Sequence, residues 1–136
     1  MARGAGGRAD FEVAGGRNAP ATARRQLVAR VGDRLDATAL YDASLLLSEL
    51  VTNAVRHGGA GEGERIEVQV SLRRDRIHIG VTDPGRGFER PAAPRARPGG
   101  HGGNGLPLLQ ALAADWNVER GKRTRVWFEM ALHRAA

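Results

Sequence analysis

Residues 47–59 read LSELVTNAVRHGG and place Glu49, Asn53 and His57 at every fourth position. A glutamate carboxylate is ionised at neutral pH and can take up a proton, and an amide carbonyl can ligate a hard cation such as Mg²⁺. At 100° per residue Glu49 and Asn53 stand about 40° apart on a helix, along the edge of an apolar face built from Leu40, Ala43, Leu46, Leu47, Leu50 and Ala54. Taken alone, such a pair is more ordinarily a solvated helix edge than a site, so its meaning depends on what the rest of the chain brings to it.

Two further stretches could complete a site. In VTDPGRG the acid Asp83 stands where a strand stops, and Gly85 and Gly87 follow at alternate positions. A carboxylate there can accept a hydrogen bond from an exocyclic amine, and glycines let backbone approach a flat ring or a phosphate closely. Asp-Pro-Gly is also a good turn sequence. In GGHGGNGLPLL, five glycines including Gly103 and Gly105 precede a helix that begins near Leu106. Free amides and a helix dipole suit phosphate oxygens, while a plain linker would have the same composition.

Other chemistries are excluded. GHGGNG at 100–105 matches the dinucleotide pattern G-x-G-x-x-G, but no strand precedes it and no βαβ unit surrounds it. Gly121-Lys122 is followed by Arg123 and lacks the upstream glycine of a Walker loop. The four histidines show no zinc-ligand spacing on one helix face. Ser44, Ser48 and Ser71 are outside any nucleophile elbow.

The elements that must position these residues follow from periodicity and punctuation. DFEVA at 10–14 predicts a short edge strand. Asn18 before Ala19-Pro20 predicts a capped helix through ATARRQLVARV, with Ala23, Leu27, Val28 and Val31 inward and Gly32 at its end. A second helix is expected from near Asp36, a capping residue, to about His57, where two glycines stop it. RIEVQVSL alternates Ile66, Val68, Val70 and Leu72 on one face, RIHIGVTD does the same with Ile77, Ile79 and Val81, and the short link 73–75 makes them an antiparallel hairpin. Residues 84–105 hold four of the six prolines and many glycines. They read as a mobile loop too long to be mere connection. A helix is expected over about 106–114, then a final hairpin turning at Gly121.

At 136 residues the chain suits one domain, expected over 10–133 behind a disordered tail at 1–9. No apolar run approaches a membrane span, and MARGAGGRAD lacks the core of a secretion signal, so the expectation is a cytoplasmic protein with no membrane partner. The absence of cysteine excludes disulfides, thiolate metal sites and cysteine redox chemistry. The net charge of +6 comes from dispersed arginines that do not interleave with the six aromatic residues, which argues against direct nucleic-acid binding.

Taken in order, SELVTNAVRHG, VTDPGRGF, GGNGLPLLQALA and RTRVWFE resemble the GHKL ATPase superfamily of gyrase, heat-shock chaperones, histidine kinases and MutL. The resemblance is greatest to its small anti-sigma-factor serine kinase branch and covers about residues 10–131. It implies an α/β (α+β) two-layer sandwich, with helices on one face of a mixed, mainly antiparallel sheet and ATP between the helices and a lid. By matching positions it implies Glu49 as catalytic base and Asn53 as Mg²⁺ ligand. Asp83 would read the adenine amine, with Gly85 and Gly87 beside the base. Gly103, Gly105 and Leu106 would contact phosphate, Thr124 would lie near adenine, and Arg56 and His57 would line the same helix end.

The implied function is an ATP- and Mg²⁺-dependent serine/threonine kinase of a small anti-sigma-factor antagonist, regulating transcription by partner switching. A sigma factor as direct partner and a homodimer are implied as well. The alternative is a nucleotide-dependent protein-binding regulator without efficient phosphotransfer. A histidine-kinase catalytic fragment is disfavoured, because no dimerisation helix pair with a phosphoacceptor histidine precedes the domain.

Overall fold

The computed structural model describes residues 7–56, 59–84 and 106–132. Along them run β1 (Gly7–Arg8), β2 (Phe11–Ala14), α1 (Ala19–Val31), α2 (Ala37–Arg56), β3 (Arg65–Leu72), β4 (Arg76–Thr82), α3 (Leu106–Leu112), β5 (Asp115–Arg120) and β6 (Thr124–Ala131), with a 3₁₀ turn at Gly32–Arg34 joining α1 to α2.

The strands form one sheet in the order β1-β3-β4-β6-β5, with β2 also paired to β3. Every pairing among the described strands is antiparallel. The expected 65–83 hairpin is present, and its link closes where Arg73 N–H donates to the Arg76 carbonyl at 2.8 Å. The last hairpin does not simply extend the sheet in chain order, because β6 inserts between β4 and β5. Non-local pairing of this kind is set by which faces can be buried together. On the edge strand β5, Asp115 Oδ1 accepts from Trp116 N–H at 3.0 Å and Asn117 Oδ1 from Val118 N–H at 2.8 Å. Those side chains occupy donors that could otherwise recruit another strand.

One sheet face carries Ile66, Val68, Val70, Ile77, Ile79, Val81, Phe128 and Met130 into a single core with α1 and α2. The other face carries polar side chains, so the fold is the expected two-layer α/β sandwich. On α1 the buried stripe is Ala19, Ala23, Leu27 and Val31. Val28, expected inward, is instead 47% exposed. It is turned about 100° from Leu27, outside the narrow row that i, i+4 spacing defines. Asn18 has helical φ/ψ and makes no side-chain cap; its carbonyl accepts Thr22 N–H at 3.0 Å instead. The pairing also starts earlier than residue 10. Gly7 and Arg8, expected in the tail, pair with Leu72 and Ser71.

α2 is capped as expected, with Asp36 Oδ1 accepting Ala39 N–H at 2.8 Å. At its other end Gly59, at φ 73°, turns the chain so that Ala60 N–H returns to the Ala54 carbonyl at 3.3 Å. A Cβ on Gly15 would fall 2.5 Å from the Ala60 carbonyl oxygen. The β2–α1 corner therefore packs directly on the segment that links α2 to β3. Asp36→Ala is expected to lower unfolding free energy by about 1 kcal/mol, while Asp36→Asn stays within about 0.5 kcal/mol of the parent, measured by urea unfolding.

Candidate functional site

Asn53 sits one helical turn beyond Glu49 on α2, between core residues Leu50 and Ala54. The hydroxyls nearby are used inside the helix: Ser48 Oγ donates to the Leu45 carbonyl at 3.1 Å and Thr52 Oγ1 to the Ser48 carbonyl at 2.7 Å. Asn53 Oδ1 is different. It is buried and is the single buried side-chain N or O atom among the described residues with no hydrogen-bond partner. Leaving a buried acceptor unpaired costs about 1–3 kcal/mol, which marks Asn53 Oδ1 as a candidate ligand atom.

The sheet brings a second acid to the same end of the molecule. α2 runs through residues 57–64 into β3, and Glu67 near the start of β3 pairs with Thr82 at the end of β4. The last turns of α2 and the end of β4 therefore lie at one end of the sandwich, with α2 packed on β4. Side chains alternate along a strand, so Asp83 follows Ile77, Ile79 and Val81 onto the helix-covered face. It is only 6% exposed. By the same alternation Thr124 shares that face with Val126, Phe128 and Met130. Asp83 N–H donates to the Thr124 carbonyl at 3.0 Å, which ties together two predicted site residues 41 positions apart. Periodicity indicated the inward face of β4, and the final hairpin was expected, but nothing local in the sequence signals this register.

Glu49 and Asn53 are both half-buried at the edge of the core. Arg56 is exposed at the end of α2 and Leu106 opens α3. His57, Gly85, Gly87, Gly103 and Gly105 lie outside the described residues, as does the loop expected over 84–105 apart from Pro84. A cavity of about 220 Å³ lies at the other end of α2, against Asp36, Asp42, Leu112 and Met130. No predicted site residue lines it.

The chemistry available at the α2–β4 end is specific. The described residues contain no group of three or more acids or histidines able to cage a metal. Mg²⁺ keeps waters and takes one or two protein oxygens together with substrate phosphates, which is what a lone amide carbonyl can serve. The donor set therefore fits a metal that arrives with a polyphosphate. A buried acceptor at a strand end suits an amine on a flat ring.

Residues 17–130 match the family model described as the histidine kinase-like ATPase domain. An uncharacterized protein of Streptomyces coelicolor is 36% identical over 91 residues, covering 62% of this chain and 81% of that relative. The crystal structure of the RsbU and RsbW domains of Rv1364c from Mycobacterium tuberculosis shares the fold, with a TM-score of 0.72 at 22% identity over 96% of this chain. This chain spans 33% of the length of that structure.

A buried acceptor left unpaired destabilises the folded protein. Asn53→Leu is expected to leave the nucleotide-free protein as stable as the parent or up to about 1 kcal/mol more so, read by urea unfolding. A loss of 2 kcal/mol or more would show that Asn53 is bonded in solution.

Proposed function

This chain belongs to the histidine kinase-like ATPase family, and from that premise we propose that it binds ATP with Mg²⁺ between α2 and the end of β4 and transfers the γ-phosphoryl group to a serine or threonine of a partner protein. The observation that carries the reading is the buried, unpartnered carbonyl of Asn53.

In this reading Asn53 Oδ1 ligates Mg²⁺. The bound metal supplies a Lewis acid that offsets charge on the phosphate oxygens. Glu49 stands one turn away and accepts the proton of the attacking hydroxyl. Asparagine cannot do this at neutral pH, so the two roles do not interchange. Asp83 accepts from the adenine amine, Thr124 lies beside the ring, and Gly85 and Gly87 keep the neighbouring backbone close to it. Gly103, Gly105 and Leu106 contact phosphate, and Arg56 and His57 line the end of α2. The near-complete burial of Asp83 at the end of β4, on the helix-covered face, supports its part.

The protein substrate follows from the resemblance to the anti-sigma-factor serine kinases. A small anti-sigma-factor antagonist would receive the phosphoryl group, which adds about two negative charges to its surface and breaks its interface with the kinase. A homodimer that binds a sigma factor directly in the cytoplasm completes the partner-switching scheme. No helix among the described residues is long and apolar enough to cross a membrane.

Two variants test the assigned roles. Asn53→Ala is expected to lose Mg²⁺-dependent ATP affinity by at least about tenfold while keeping its far-UV circular dichroism; unchanged calorimetric affinity would remove the metal role. Glu49→Ala is expected to bind ATP normally and to lose transfer of γ-label to an antagonist serine by about 10²-fold or more. Undiminished labelling by that variant would exclude Glu49 as base.

A further inference from the structure

The outer face of the sheet, away from the helices, carries a cluster centred on a glycine. Gly80 in β4 is covered by the guanidinium of Arg125: a Cβ at position 80 would stand 2.8 Å from Arg125 Nη2, 2.8 Å from Gln69 Oε1 and 3.1 Å from Arg125 Cζ. The guanidinium lying in that seat reaches three strands. Its Nε donates to Gln69 Oε1 of β3 at 3.3 Å, its Nη1 to Glu119 Oε1 of β5 at 3.3 Å, and its Nη2 meets His78 Nε2 of β4 at 3.2 Å. A guanidinium only donates, so His78 Nε2 accepts and the ring proton sits on Nδ1. Nδ1–H then donates to Glu129 Oε2 at 3.1 Å.

Two aromatic contacts close the cluster. The His78 and Trp127 rings stack with centroids 5.1 Å apart, and Trp127 Nε1 donates to Glu119 Oε2 at 3.1 Å. Burial pushes the Glu129 carboxyl up, but hydrogen bonds from His78 and Arg76 outweigh it and hold the group below the usual carboxylate range.

The cluster sits back to back with the inner site. Arg125 pairs with Thr82, the last rung of the β4–β6 ladder. The residues one step further are Asp83 and Thr124, joined by their backbone hydrogen bond. That bond ties Asp83 to the residue next to Arg125 on β6. Whatever clamps Arg125 onto β3, β4 and β5 therefore bears, through Thr124, on where Asp83 stands.

We infer that Arg125, seated on Gly80 and held by Gln69, His78 and Glu119, is a positioning residue that holds Asp83 in place and so sets adenine selectivity from the opposite face of the sheet. The inference rests on the proposed ATP site and adds residues that never touch nucleotide. It also explains why position 80, in the middle of a strand where glycine is disfavoured, carries no side chain.

The seat can be filled without breaking the fold, because the atoms a Cβ would strike are the far ends of flexible side chains. Gly80→Ala and Arg125→Ala are compared with the parent by amide hydrogen exchange of the nucleotide-free protein and by ATP and GTP dissociation constants. Expected in both variants is exchange of the Asp83 amide about fivefold or more faster, with the Val68 and Val70 amides unchanged. ATP affinity falls about fivefold to tenfold and GTP affinity does not, so the selectivity ratio collapses. In the Gly80→Ala, Arg125→Ala double variant the two effects do not add, because both act by removing one guanidinium.

Parent-like Asp83 exchange and an unchanged ATP:GTP ratio in both single variants would overturn the inference while leaving the ATP site standing. Equal losses for ATP and GTP would overturn it too, as a general structural effect. A parent protein that binds neither nucleotide would overturn the site reading and the inference with it.

Discussion

A carbonyl oxygen buried without a hydrogen-bond partner, Asn53 Oδ1 on α2, is the constraint on which the proposed site depends. Asn53 Oδ1 stays in that state because α2 is anchored by its apolar face through Leu46, Leu47, Leu50 and Val51, which cannot rotate to give the amide a better environment. Its neighbouring hydroxyls, on Ser48 and Thr52, are turned inward on the helix backbone. A helix that satisfied Asn53 internally would be more stable and would give up the oxygen that the proposed site assigns to a cation.

The sheet divides its labour between two faces. The helix-covered face supplies the core and, where β4 runs out, a nearly buried acid. The open face is polar, and its ion pairs are partly exposed, with side-chain exposures of 29% for Arg125 and 55% for Glu119. Pairs of that kind add little stability individually. Their value lies in geometry: one guanidinium bridges three strands at the level where the β4–β6 ladder ends. The two faces meet at the Thr82–Arg125 rung, so polar contacts on the open side bear on the site beneath.

Much of this was legible in the sequence wherever the signal was local. The alternation of Ile66, Val68, Val70 and Leu72 fixed a strand and its inward face, and Asp36 fixed the start of α2. The row Glu49–Asn53 fell at the helix edge, as its spacing required. Legibility failed where several residues compete for one role. Val28 fits an apolar pattern but lies outside the row that Ala19, Ala23, Leu27 and Val31 define, and Asn18 is a capping type that adopts helical backbone instead. Long-range register was invisible, because nothing near Asp83 indicates that its amide meets the Thr124 carbonyl, or that Gly80 is empty to seat Arg125. Gly7 and Arg8 carry no strand signal of their own and pair only because β3 offers an edge.

The central claim is that α2 and the end of β4 address one bound nucleotide. An NMR titration of the protein with ATP and Mg²⁺ tests it most directly, following the Asn53 side-chain amide on α2 and the backbone amides of Asp83 and Thr124 on the sheet. The account predicts that all three signals shift together with a single dissociation constant and that the Asn53 shift disappears when Mg²⁺ is withheld. Shifts confined to the helix or to the strand end, or two separate dissociation constants, would contradict it.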